Sequence, residues 1–174
     1  MIIPRTSFLT CRAFLLIISG IILFLLGPVK VTAQPQPPRP VKLYTIQSMN
    51  FGAFYQGFSG GTVIVYANGT RSCAGDVHLL MLGFSFYPAI FQVDAIVGTI
   101  VTITNGADAI LTGSNGGSMT LHLGDSYPVS PFITSIAPSG RTSVSVGGIL
   151  TVGNPGANPV GAYSGTFSVT FNQQ

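Results

Sequence analysis

The twelve residues from Gly161 to Asn172 constrain this chain most. In Gly161-Ala162-Tyr163-Ser164-Gly165-Thr166-Phe167-Ser168-Val169-Thr170-Phe171-Asn172, the apolar Tyr163, Phe167, Val169 and Phe171 alternate with Ser164, Thr166, Ser168 and Thr170. Successive side chains of an extended strand point to opposite faces, so this period gathers the apolar groups on one face and the hydroxyls on the other. Such a strand belongs to an antiparallel sheet packed on a core from one side only, and it predicts that the chain ends inside a sandwich. That identifies a scaffold, which does not by itself fix a task.

The other end is a different material. Arg5 and Arg12 lead into the apolar run Ala13 to Leu26, broken only by Ser19 and Gly20, and Gly27-Pro28-Val29-Lys30-Val31-Thr32-Ala33-Gln34 follows. This is the charged, apolar, small-residue order of a secretory signal peptide, with Val31 and Ala33 where a peptidase reads before cutting after Ala33. A bilayer helix asks for about 20 apolar residues, and this run is shorter, so a cleaved signal helix over residues 1–33 is expected, with no transmembrane span once it is gone. Cys11 lies ahead of the run and leaves with it. The expected locations are the periplasm, the cell surface or the extracellular space.

Of 174 residues, removal of the first 33 leaves 141, enough for one domain with a real core. The whole-chain charge of +3 does not describe that domain, because Arg5, Arg12 and Lys30 go with the leader. Arg39, Lys42, Arg71 and Arg141 then balance Asp76, Asp94, Asp108 and Asp125, and there is no glutamate. No basic patch remains to hold nucleic acid or an anionic membrane. Cys73 is the sole cysteine after processing, so stability has to come from packing rather than an intrachain disulfide. It reads as a small hydrophobe near a turn, with an intermolecular bridge or a reactive thiol as the alternatives.

Gln34-Pro35-Gln36-Pro37-Pro38-Arg39-Pro40 cannot make regular backbone hydrogen bonds, and residues 34–42 are expected to form an extended arm. The domain proper is expected over 43–174. Val41 to Ile46 reads as a first strand. Met49 to Tyr55 reads as a core seam with a bend at Gly52. Thr62 to Tyr66 reads as a strand closed by the Asn68-Gly69 turn. The apolar segment Val77 to Phe86 is expected to supply the hairpin partner; a strand buried on both faces or a short helix would explain it, and Gly83, Phe84 and Phe86 favour the strand. Phe91 to Ala95 and Gly98 to Thr104 follow, then Met119, Leu121 and Leu123 alternating with Ser118, Thr120 and His122. Val144, Val146, Leu150 and Val152 alternate with Ser143, Ser145 and Thr151 around a kink at Gly147-Gly148. Eight or nine short strands and no amphipathic helix make the mature chain all-β, an antiparallel sandwich.

The pair Ser143-Val144-Ser145-Val146-Gly147-Gly148-Ile149-Leu150-Thr151-Val152-Gly153 and Gly161 to Asn172 resembles the closing signature of the DUF4402 family, bacterial exported domains of unknown function. Asn50-Phe51-Gly52-Ala53-Phe54, Gly60-Gly61-Thr62-Val63 and Tyr66-Ala67-Asn68-Gly69-Thr70-Arg71 resemble its opening motif, so the likeness spans 50–172. It implies an immunoglobulin-like β-sandwich of the kind found in pilus subunits and surface proteins, mainly of Gram-negative bacteria. It implies no activity. The residues themselves have structural duties: Gly161 and Gly165 allow close backbone approach, and Tyr163 buries its ring while its hydroxyl stays bonded or wet.

Candidate chemistry is sparse. Asp76-x-His78 and His122-x-x-Asp125 are the only metal-like pairs, and they lack the closed spacing of a zinc motif, so no metal site is expected. No Gly-x-Ser-x-Gly elbow occurs, and Ser114-Asn115-Gly116-Gly117-Ser118 reads as a turn. Two histidines and no glutamate leave few carriers for acid/base catalysis, so neither an enzyme nor a cofactor is expected. The glycines lie between strands rather than ahead of a helix, which removes the phosphate-cradle reading. Asn68-Gly69-Thr70 satisfies a glycosylation pattern formally, and the turn is the simpler account.

Two functions from different classes remain. One is a structural or assembly protein of the cell envelope, such as a pilus-like or surface subunit. Its outward strand positions are mostly Ser, Thr and Gly rather than the Lys, Glu or Pro that blunt sheet edges, so its partner is another copy or another envelope protein at an exposed edge. The arm and Val41 to Ile46 either donate a strand to a neighbour or pair within their own domain. The alternative is a secreted module that binds carbohydrate or peptide, with Tyr87 and Tyr127, each before a proline, as stacking rings.

Overall fold

A tight turn organises the first hairpin. In the computed structural model, which describes residues 40–135 and 140–174, Gly69 N–H donates to the Tyr66 carbonyl and Tyr66 N–H to the Thr70 carbonyl, each at 2.9 Å. Gly69 takes φ +85°, a left-handed conformation closed to most side chains. Asn68 Oδ1 accepts from Thr70 N–H and from its hydroxyl, at 3.0 and 2.7 Å. Strands β2 (Phe54–Val65) and β3 (Arg71–Leu79) flank the turn, with Val65 opposite Arg71 and Val63 opposite Cys73.

This placement corrects the expected partner. Pairing starts at Arg71, directly after the turn, and is complete at Leu79, where β2 runs out of residues at Phe54. Leu80 to Phe86 is left without a strand to join and forms an irregular loop rather than a strand buried on both faces. Met81 and Phe84 are 87% and 68% exposed.

The expected signal helix and most of the proline arm fall in residues 1–39, outside the described residues. From Pro40 on, the chain reads β1 (Lys42–Gln47), β2, β3, β4 (Ala89–Asp94), β5 (Ile100–Asn105), β6 (Ala109–Gly113), β7 (Ser118–Tyr127), β8 (Phe132–Ile133), β9 (Thr142–Val152), β10 (Tyr163–Ser164) and β11 (Val169–Gln173). All pairings between these strands are antiparallel, and no helix occurs among the described residues. β1 pairs with β4 of its own domain, Lys42 opposite Asp94 through Gln47 opposite Ile90.

β9 is the spine of the larger sheet. Val144, Val146, Leu150 and Val152 are all buried, while Ser143 and Thr151 on the other face are exposed, as alternation predicts. β7 lines one edge of β9. The other edge is shared: β4 pairs with residues 142–146 and β2 with residues 148–152. Gly147 sits at the handover, where a Cβ would lie 2.7 Å from the Val65 carbonyl oxygen. The expected kink is therefore a change of partner, and β9 keeps its facing through it.

The C-terminal alternation also holds, since Tyr163, Phe167, Val169 and Phe171 are half-buried against the core and the hydroxyl residues between them are exposed. The segment is not one strand, however. β10 pairs with β6 in the eight-stranded sheet and β11 with β5 in the three-stranded sheet β11-β5-β8, so residues 165–168 cross from one layer to the other. The crossing squeezes Gly165, whose Cβ would lie 2.5 Å from the Ile110 carbonyl oxygen. The Phe91 ring of β4 meets the Phe171 ring of β11 edge to face at 5.5 Å, and Val101 and Phe132 of the smaller sheet join Val63, Val65, Val144, Val146 and Leu150 in one core. The result is a two-layer, sandwich-like all-β domain.

Two glycines separate two kinds of cost. Gly165→Ala is expected to lower unfolding free energy by about 2 kcal/mol through collision with fixed backbone. Gly69→Ala has open space around it but the wrong φ, and is expected to cost about 1 kcal/mol. Urea midpoints of both variants check this, and an unaffected Gly165→Ala midpoint contradicts the crossing.

Candidate functional site

The histidines and aspartates form two pairs that stay apart. On β3, His78 Nε2 lies 3.8 Å from Asp76 Oδ1, and its ring stacks on Tyr55 of β2 at 4.8 Å. Asp76 Oδ2 also accepts from Ser59 N–H at 3.2 Å. His122 projects from the exposed face of β7, and its Nδ1 lies 2.7 Å from Asp108 Oδ1, just before β6. The partner of His122 is thus not Asp125, three residues on, but Asp108: β6 pairs with β7 so that Ala109 faces Leu121, which brings Asp108 abreast of His122. β2 and β9 separate β3 from β7, and no group of three metal-ligating side chains occurs among the described residues.

Ser114 to Ser118 is a pinned turn. Gly116 N–H donates to the Gly113 carbonyl and Ser114 N–H to the Ala162 carbonyl, while Asn115 Nδ2 donates to the Val160 carbonyl at 2.7 Å. Tyr163 keeps its ring half-buried and its hydroxyl donates to the Pro159 carbonyl at 2.7 Å, as expected. Tyr87 and Tyr127 sit in different settings on either side of β9. Tyr87 is half-buried ahead of β4 and exchanges two backbone hydrogen bonds with Asn50. Tyr127 is exposed at the end of β7, with β9 lying between β7 and β4.

Two polar side chains that sequence reasoning passed over hold the loops. The Arg71 guanidinium donates to the carbonyls of Phe51 (2.7 Å), Ala53 (3.3 Å) and Leu80 (3.2 Å) and lies 4.4 Å over the Phe86 ring. Burial pushes its pKa below the usual value, with nearby Cys73 acting the other way. The signal available was one arginine opening a strand where the described residues hold only three lysines and arginines, Lys42, Arg71 and Arg141. Asn158 is buried, with Oδ1 accepting from Gly153 N–H and Nδ2 donating to the Ser118 carbonyl at 2.7 Å. Its own carbonyl accepts from Gln56 Nε2 at 2.6 Å, which ties the loop after β9 to β2 and β7.

The surfaces left open are sheet edges and one loop. Met81, Gly83, Phe84, Ser85 and Phe86 line an open groove of about 480 Å³ above the Arg71 clip. Among the described residues, β1 and β3 each pair on one side only. β1 is guarded: Pro40 precedes it, Lys42 opens it, and the Arg141 guanidinium covers the Tyr44 ring at 3.7 Å. β3 is nine residues long and contains no Lys, Glu or Pro. Its two charged side chains are engaged within the fold, Arg71 on loop carbonyls and Asp76 on Ser59 N–H. Cys73 is exposed at its middle.

Residues 41–172 match a family described as "Domain of unknown function (DUF4402)", a span that begins ahead of the motifs quoted above. No curated protein matches the chain, and no solved structure matches it.

Removing the clip should loosen one corner of the domain. Arg71→Met strands the carbonyls of Phe51 and Leu80, while that of Ala53 keeps the Leu80 N–H, and is expected to cost about 2–4 kcal/mol, with faster hydrogen exchange at Leu80 to Phe86. Arg71→Lys, which cannot fork between carbonyls, should recover only part of this. An unchanged urea midpoint for Arg71→Met contradicts the assignment.

Proposed function

We propose that this chain, which belongs to the DUF4402 family, is an exported, non-enzymatic structural or assembly protein of the bacterial cell envelope, a pilus-like or surface subunit. The observation that carries the reading is the long edge strand β3, which has no Lys, Glu or Pro to blunt it and whose two charged side chains are turned to partners within the domain. A row of unpaired N–H and C=O groups is a template for another strand, and it needs no side-chain recognition code. The exposed faces fit a packing unit: Thr62, Thr151 and Thr120 stand abreast on β2, β9 and β7, a hydroxyl surface that stays soluble without charge. The leader read over residues 1–33 supplies the route out of the cell.

The His and Asp side chains favour a scaffold over a catalyst, because each histidine has its own aspartate and the two pairs are held on separate strands. The carbohydrate-binding alternative asks for two exposed rings, and of its pair only Tyr127 is exposed, Tyr87 being half-buried and tied to Asn50.

Expression of the full chain in a Gram-negative host tests the reading. The expected result is a processed protein whose mass begins at Gln34, recovered from the envelope or medium in crosslinkable assemblies. An unprocessed cytoplasmic protein, or a processed one that remains monomeric at the envelope, overturns it.

A further inference from the structure

β3 carries a more specific message than an open edge. In an antiparallel pair, alternate residues turn their backbone groups toward the partner strand and away from it. The Tyr66–Thr70 hydrogen bond that closes the hairpin fixes which residues do which: Ser72 and Ala74 face β2, and Arg71, Cys73 and Gly75 face out. The regular ladder between β2 and β3 runs from Arg71 to Gly75, bounded by the turn on one side and by a register shift, with Gly75 at φ +76°, on the other. Its midpoint is Cys73.

Cys73 also occupies an unusual face. It stands directly opposite Val63, which is 0% exposed, so its side chain belongs to the core side of the sheet. It is nevertheless exposed, because the sheet ends there among the described residues. A strand added alongside β3 would extend both the ladder and the covered face. Side chains offer no obstacle, since Ser72, Ala74 and Gly75 are small. Charge offers none either, since Arg71 and Asp76 are already bound inside the domain.

We propose that β3 pairs antiparallel with β3 of a second copy of this chain about a two-fold axis at Cys73, joining two eight-stranded sheets into one. A two-fold axis makes one strand edge complementary to itself, because the outward N–H and C=O groups of Arg71, Cys73 and Gly75 meet those of Gly75, Cys73 and Arg71 of the second copy. Ser72 then lies opposite Ala74 of the second copy on the hydroxyl face, and the two Cys73 Cα atoms come within about 5.5 Å. The inference rests on the assembly reading and names its partner and register.

The test uses the processed chain, residues 34–174, kept reduced. Light scattering should give a dimer, and a short thiol-specific bismaleimide should join two chains through Cys73. Ser72→Lys/Ala74→Lys places like charges opposite one another across the axis and should weaken the dimer by about tenfold or more. Ser72→Lys/Ala74→Glu places opposite charges there and should restore it. Circular dichroism and the urea midpoint of each variant confirm folding, and a fold lost in the first variant but kept in Ser72→Lys alone leaves the single variant to carry the comparison. A dimer indifferent to these changes, or one in which Cys73 does not crosslink, overturns the β3 pairing and leaves assembly through another edge intact. A monomer at every concentration overturns the β3 pairing, and with no assembly at the envelope either, the parent reading falls too.

Discussion

Everything in this domain depends on one strand being buried on one face for its whole length. Val144, Val146, Leu150 and Val152 of β9 keep the same facing across eleven residues, and each fully buried aliphatic side chain contributes roughly 1.5–3 kcal/mol relative to exposure. Cys73 is the single cysteine among the described residues and is free, so no disulfide within them substitutes for that burial. β9 can serve three neighbours only because Gly147 lets the Val65 backbone come close where β4 gives way to β2. A side chain there would force the two half-sheets apart and open the core between them.

Where the half-sheets meet, hydrogen-bonding groups run short. The carbonyls of Phe51, Ala53 and Leu80 belong to loops that no strand reaches, and Arg71 answers all three from the first residue of β3. Desolvating a guanidinium is costly, and the cost is offset by charge-assisted bonds to these carbonyls, of which only that of Ala53 has a backbone donor as well, Leu80 N–H. Asn158 plays the same part at the far end of β9. In a domain with so few charges, the polar groups that remain are engaged in holding loops, and the faces of the sheet are left to threonine and serine.

The alternating segments were legible because their period is a direct image of the pleat: Met119, Leu121 and Leu123 went in, and Ser118 and His122 stayed out. The Asn-Gly turn was legible because it demands φ > 0 at Gly69. What was not legible follows from pairing rather than propensity. Leu80 to Phe86 has the composition of a buried strand, yet it lies past the point where β2 ends, so its apolar side chains stay at the surface. The split of the last segment between two sheets was hidden because crossing from layer to layer preserves the inside-outside alternation on which the reading rested. Asp108 met His122 through the β6–β7 register, a non-local fact that spacing along the chain does not carry.

The crossing at residues 165–168 also sets an order of events in time. β6 and β5 each wait for a neighbour made after the other strands of the domain, Tyr163–Ser164 for one and Val169–Gln173 for the other. Neither layer can close before residues 163–173 have been synthesised. Late closure keeps the domain pliable until they arrive, after which both layers can lock together in one step.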